Sequence, residues 1–292
     1  MKLALFNDYR LGVVIGTEIA DVTPTVPNHD ANPLTAGWWR ALAADVDAVR
    51  PAIEQLAADP ARREPLASVE LRAPALNPSK IVACASNYRE HVEEMHGVQS
   101  RTLGSVHDWM MKFDVFLKAP SSLSGPTDDI VLPPEIVDAG HEIHHESELV
   151  IVIGRGGKDI PVEKAMDAVL GFTAGLDITV RSAADRSRRK SYDGFSPLGP
   201  YLVTTDELGD GSDLDILLTS GDAVRQQVNT RDMIPPVPAI VAYASSVMTL
   251  QPGDVLFTGA PPGVGPIAAG EQLDMSISGI GSMTVTVTSA PA

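Results

Sequence analysis

His141-Glu142-Ile143-His144-His145-Glu146-Ser147-Glu148-Leu149-Val150-Ile151-Val152-Ile153 is the stretch on which the reading of this chain turns. Its first five residues spell H-E-x-x-H, which binds zinc when a helix puts both histidines on one face. Here Pro133 and Pro134 lie upstream, and a β-branched run follows from Val150 to Ile153. That context predicts a strand. Side chains alternate along a strand, so Glu146 and Glu148 point the same way, about 7 Å apart. Two carboxylates at that spacing repel unless a cation lies between them. Oxygen donors suit a hard divalent ion such as Mg²⁺, Mn²⁺ or Ca²⁺. The exposed polar face of an edge strand fits the same spacing.

Other residues extend this reading. Asp177 closes the stretch Gly171-Phe172-Thr173-Ala174-Gly175-Leu176, which is apolar apart from its threonine. An Asp there is costly to bury unless it is paired or ligating; a capping role is the alternative. In Asn87-Tyr88-Arg89-Glu90-His91-Val92-Glu93-Glu94, a helix makes His91 and Glu94 neighbours. A carboxylate beside an imidazole orients the ring and raises its basicity, as a general base requires. A surface histidine with a helical salt partner has the same spacing. Arg181, Arg186, Arg188, Arg189 and Lys190 fall within ten positions. They are a candidate patch for an anionic substrate, or a solvated basic loop. The glycine clusters at 154–157 and 259–265 match no complete nucleotide-binding fingerprint and read as turns.

The chain has 292 residues, with 22 Lys+Arg against 38 Asp+Glu and a formal charge of −16. The acidic balance disfavours a nucleic-acid or anionic membrane surface. No apolar run approaches a bilayer span, and the N-terminus lacks a secretory apolar core. The one cysteine, Cys84, lies in an apolar run and reads as buried and structural. A cytoplasmic enzyme is the expectation.

The periodicities predict an α+β chain, mainly β. Short strands are expected in residues 1–23 and at 81–85, 115–118, 130–132 and 148–153. One helix is expected over residues 38–58, kinked or split at Pro51. Further helices are expected from residue 87, over 163–170 and over 238–247. Residues 60–78 read as a linker, and residues 97–112 as a cover over a site. The division expected is a small N-terminal α/β domain, residues 1–75, followed by a larger domain, residues 76–292.

Seven collinear blocks between Lys80 and Val287 resemble the fumarylacetoacetate hydrolase superfamily: KIVACASNYREHVEEM (80–95), VFLKAPSSLSGPTDDIVL (115–132), HHESELVIVIG (144–154), GFTAGLDITVR (171–181), KSYDGFSPLGP (190–200), VRQQVNTRDMI (224–234) and MTLQPGDVLFTGAPPGVG (248–265). In texture the segment from Asp177 to Pro200 is most similar to the branch that isomerises 2-hydroxyhepta-2,4-diene-1,7-dioate or decarboxylates its precursor. The resemblance implies a mixed β-sandwich roll, usually a homodimer. It implies a metal on Glu146, Glu148 and Asp177, with Mg²⁺ or Mn²⁺ expected and Ca²⁺ possible. It implies a water-activating pair, His91 and Glu94, with Lys118 and Lys190 as further catalytic groups. The implied activity is metal-dependent C–C hydrolysis of an acylpyruvate-like 2,4-dioxo acid. The alternative is isomerisation or decarboxylation of an unsaturated 2-oxo dioic acid in aromatic catabolism. One position departs from the family pattern: the second threonine of T-G-T-P-x-G-V-G, often a contact for a substrate carboxylate, is Ala260 here.

Overall fold

The strand Ser147–Ile153 is buried along its whole length. Leu149, Ile151 and Ile153 face one apolar cluster, and Val150 and Val152 face another. Burial on both faces explains why this strand is a continuous apolar run rather than an alternating one. The computed structural model describes residues 1–35, 37–103 and 111–290.

Ser147–Ile153 lies within a 12-stranded sheet. Along its main path the order is Arg63–Pro65, Glu18–Asp21, Arg10–Ile15, Lys2–Phe6, Ser196–Thr204, Val169–Leu176, Ser147–Ile153, Val255–Phe257, Ile81–Ala85 and Asp114–Lys118. The N-terminal strands therefore continue the same sheet, through antiparallel pairing of Lys2–Phe6 with Ser196–Thr204. A five-stranded sheet runs Ala223–Asn229, Asp215–Ser220, Gln272–Ile277, Gly281–Ser289 and Ile130–Leu132. Its inward residues, including Ile216, Leu273 and Val285, share a cluster with Leu149 and Ile151. Trp38, Trp39 and Leu42 pack on the other side, with Val150 and Val152. The result is the mainly β, α+β architecture expected.

Two glycines allow the central strands to approach. A Cβ at Gly171 would lie 2.2 Å from the Val203 carbonyl oxygen. One at Gly175 would lie 2.6 Å from Val150 Cγ2. Larger residues would force apart the strands that carry the site.

Several local expectations are corrected. Residues 38–58 form two helices, Gly37–Ala44 and Val46–Ala57, which break at Asp45 rather than at Pro51. Pro51 sits inside the second helix on an exposed face. Water can satisfy the carbonyl left without an amide donor there. The stretch read as a helix over 163–170 is a 3-10 segment, Val162–Ala168. Val169 and Leu170 instead start the Val169–Leu176 strand, where pairing with the Ile153 strand outweighs helical spacing. The presumed linker at 60–78 contains two short strands, Arg63–Pro65 and Leu71–Arg72, which pair with Glu18–Asp21 and Lys2–Phe6. The helix begun near residue 87 spans Arg89–Leu103, so it takes up the first part of the expected cover. Residues 104–110 of that cover lie outside the described residues.

Candidate metal centre and active site

The register of the central sheet builds the site. Ser147 pairs with Leu176 and Glu148 with Gly175. One step further, the Asp177 N–H donates to the Glu146 carbonyl at 2.8 Å. Glu146, Glu148 and Asp177 thus meet at one end of two adjacent strands. Each offers a carboxylate oxygen, and these oxygens lie within 4.8 Å of one another. All three residues are buried.

Three cations surround them. Lys118 Nζ donates to Asp177 Oδ1 at 2.7 Å and to the Phe195 carbonyl at 2.8 Å. Lys190 Nζ donates to Glu146 Oε2 at 2.7 Å, Asp177 Oδ2 at 2.6 Å and Thr179 Oγ1 at 2.6 Å. Arg181 donates to Glu146 Oε1 at 2.6 Å. Glu148 is served differently. Its Oε2 accepts from the Gly259 N–H at 2.6 Å, while its buried Oε1 has no hydrogen-bond partner. Burial pushes the Glu148 carboxyl well above its ordinary range, and the charges of Asp177 and Glu146 add to this. Burial would also raise Glu146, but Lys190 and Arg181 outweigh it and hold that carboxyl low. A buried carboxylate oxygen without a donor, within reach of two more carboxylates, fits a hard divalent cation. Glu146, Glu148 and Asp177 form the metal site.

The His91–Glu94 pair lies on the Arg89–Leu103 helix. His91 Nδ1 is 3.3 Å from Glu94 Oε2, and both Glu94 oxygens accept from the Gly263 N–H at 3.1 Å. Glu94 therefore ties the helix to the loop after the Val255–Phe257 strand. The neighbouring Glu93 is exposed. His91, Glu146 and Lys190 line one cleft, together with Arg186 and Arg189. Lys118 is fully buried behind it, and its ammonium bonds Asp177 rather than facing the opening.

The zinc-protease reading has no support in this geometry. His141 is exposed, whereas His145 is buried and its Nδ1 lies 3.2 Å from Gln226 Oε1. Burial pushes His145 down to about 4, so it is neutral near pH 7. Cys84 is buried and its thiol is pushed up by that burial, as a structural cysteine requires.

Three supporting residues were not singled out from the sequence. Gln226 accepts from the Ser147 N–H at 2.8 Å and donates to the Pro261 carbonyl at 2.9 Å, joining the metal-bearing strand to the 258–265 loop. Asn87 donates to the Thr258 carbonyl at 2.6 Å and shapes the same loop. Thr179 accepts from Lys190. Gln226 lies within the VRQQVNTRDMI block, but its side-chain partners are 79 and 35 residues away. Spacing alone cannot pair them.

The fumarylacetoacetate (FAA) hydrolase C-terminal family profile matches residues 80–288. The chain belongs to this family. A maleylpyruvate hydrolase of Aquipseudomonas alcaligenes is 39% identical over 291 residues, covering 99% of this chain and 100% of the relative. The crystal structure of maleylpyruvate hydrolase from Sphingobium sp. SYK-6, in complex with manganese(II) ion and pyruvate, superposes with a TM-score of 0.84 at 41% identity, covering 100% of both chains. The 2-hydroxyhepta-2,4-diene-1,7-dioate isomerase of Mycobacterium marinum superposes at 0.72 with 31% identity, also over 100% of both chains. Among the described residues, no helix is long and apolar enough to cross a membrane.

Proposed function

We propose that this protein is a divalent-metal-dependent hydrolase that cleaves the C3–C4 bond of a 2,4-dioxo acid of the maleylpyruvate class, releasing pyruvate. The observation that carries the reading is the cleft shared by His91 and Glu146, which brings a candidate base to a three-carboxylate metal site. Full-length similarity to a manganese- and pyruvate-bound maleylpyruvate hydrolase supports the substrate class.

Glu146, Glu148 and Asp177 would hold the divalent cation, which when bound would supply Lewis-acid polarisation to a 2-oxo acid. The His91 Nδ1–H donates a hydrogen bond to Glu94 and keeps its proton, which leaves Nε2 to accept a proton from water. The Gly263 N–H holds Glu94 for that task. The hydroxide so formed adds to the C4 carbonyl. The C3–C4 bond then breaks with its electron pair on C3, and the proton carried by His91 goes to C3. One water is consumed, giving pyruvate and the second acid. Lys118, Lys190 and Arg181 act as positioning residues that fix the carboxylates. All the short contacts of the Lys190 ammonium are to Glu146, Asp177 and Thr179.

Incubation of the Mn²⁺-loaded protein with maleylpyruvate in H₂¹⁸O tests this. Hydrolysis gives pyruvate and places ¹⁸O in the released maleate carboxylate. Isomerisation or decarboxylation of an unsaturated 2-oxo dioic acid releases no pyruvate, and recovery of such a product instead would overturn the reading. We infer in addition that residues 1–75 are an added N-terminal unit and that the protein is a homodimer. Limited proteolysis near residue 75 checks the first, and a light-scattering mass twice that of one chain checks the second.

A further inference from the structure

The five basic residues between Arg181 and Lys190 do not act as one patch. Arg181 and Lys190 are buried and bonded to the site carboxylates. Arg188 is exposed. All four of Arg181, Arg186, Arg189 and Lys190 line the cleft, and Arg186 and Arg189 reach it from the short helical turn Arg186–Arg189. The Asp185 side chain caps that turn by accepting from the Ser187 N–H at 2.8 Å. At a spacing of three, the two arginines share a face of the turn.

Arg189 is the unusual one. Its side chain is buried, at 7% exposure, and its Nε has no hydrogen-bond partner. Among the described residues, no carboxylate forms an ion pair with its guanidinium. Glu146, Glu148 and Asp177 are already matched in number by Lys118, Lys190 and Arg181, and Arg189 comes in addition. Burial, then Arg181 and Arg186, push Arg189 down to about 10, which still leaves it charged near pH 7. A buried cation without an anion is costly to keep. Arg186 lies beside it with its guanidinium 5.2 Å from the centre of the Phe116 ring. The same ring has Lys190 Nζ at 5.4 Å, so Arg186 is tied to the wall that carries the metal-site lysine.

The wall at residue 260 is different. Ala260 lies in an apolar cluster with Met95 and Val264. It has no side-chain donor for an anion. We propose that Arg186 and Arg189 form the subsite for the distal carboxylate of a dicarboxylic 2-oxo acid, and that this function is absent from residue 260. The inference rests on the cleft being the site of a 2-oxo acid. It adds that the enzyme selects substrates with an acid group at both ends. Paired guanidinium groups are suited to such planar, bidentate recognition.

Calorimetry of the Mn²⁺-loaded full chain with 2-oxoadipate and 2-oxohexanoate is the test. The two acids have the same chain length and differ in the terminal carboxylate, and neither has the 2,4-dioxo group that hydrolysis requires. The wild type is expected to bind 2-oxoadipate about 10–100-fold more tightly, as a charge-assisted hydrogen-bonded contact provides. Arg189→Met is expected to reduce that preference to about threefold or less on the same scale, with Arg186→Met intermediate. Affinity for pyruvate should stay at the wild-type value in both variants, since it lacks the distal group. Should Arg189→Met fail to fold, Arg189→Lys and Arg186→Met carry the same comparison. No preference in the wild type, or an unchanged preference in the folded variants, overturns the subsite. These readouts do not depend on turnover. Failure to cleave maleylpyruvate with the preference intact overturns the hydrolase reading alone. Cleavage with an unaltered preference overturns the subsite alone.

Discussion

Two buried clusters pair lysine with carboxylate in this protein, and they are built to opposite ends. At the first, Asp254 is fully buried and all its acceptor capacity is used. Its Oδ1 accepts from Ser79 Oγ at 2.7 Å and from the Lys80 N–H at 3.2 Å. Its Oδ2 accepts from Lys80 Nζ at 2.6 Å and the Gln251 N–H at 2.8 Å. One ammonium, the Ser79 hydroxyl and two backbone N–H groups satisfy this carboxylate, and the cluster staples the start of the Ile81–Ala85 strand to the turn before Val255–Phe257. At the second, three carboxylates crowd together and Glu148 Oε1 is left without a donor. A satisfied buried carboxylate holds a fold together. An under-satisfied group of them marks where something else binds.

Glu148→Gln is the strongest way to break this comparison. It should weaken Mn²⁺ binding by more than about 100-fold, beyond the 10–100-fold typical of residues that only support ligands. Hydrolysis should fall to background. The Tm of the metal-free protein should hold or rise, because like-charge crowding is relieved. A lower metal-free Tm with intact Mn²⁺ affinity, read by calorimetry, would make Glu148 another Asp254.

His91→Ala should lower kcat by about 100–10,000-fold, the usual contribution of a positioned acid–base group. Mn²⁺ affinity should be unchanged, because His91 is not one of the carboxylate ligands. Unaltered turnover would remove His91 from the reaction.

Asp254→Asn should do the reverse of Glu148→Gln. Denaturant unfolding should show a loss of about 1–3 kcal/mol from the lost charged hydrogen bond to Lys80. The kcat of the folded fraction should match the wild type. A changed kcat with unchanged stability would contradict its assignment as structural.

The smallest effect is expected from Ala260→Thr. If distal recognition has moved to the arginines, restoring the hydroxyl should change kcat/KM for maleylpyruvate by less than about tenfold, below the worth of a hydrogen bond to a charged group. A larger gain in steady-state kinetics would return substrate anchoring to the 258–265 loop.

Legibility in the sequence followed physical range. Alternation along extended chain needs only neighbouring residues, so Glu146 and Glu148 could be placed side by side from the text alone, although Glu146 sits in the one-residue break before the Ser147–Ile153 strand. The same is true of His91 and Glu94 on a helix, where the observed 3.3 Å contact spans three residues. The break at Asp45, by contrast, was hidden by Pro51, which draws the eye as a helix breaker but sits where water can replace its missing donor. Val169 and Leu170 carried a helical pattern, yet pairing with the strand at Ile153 took them. The basic segment from Arg181 to Lys190 was visible as a charge cluster. Its division into carboxylate holders, a solvated residue and cleft-lining arginines was not.

The sequence by itself determined the strand carrying Glu148 with Glu146 just before it, the third carboxylate after the next buried strand, the helical His–Glu pair and the mainly β architecture. Those follow from periodicity and from the cost of burying charge, which act locally. Only the tertiary structure decided that Asp177 stands opposite Glu146, that Lys118 and Lys190 meet on Asp177, and that Gln226 bridges the metal-bearing strand to the 258–265 loop. Each of these depends on strand register and on contacts between distant segments. A one-residue change of register turns every side chain of a strand to the opposite face.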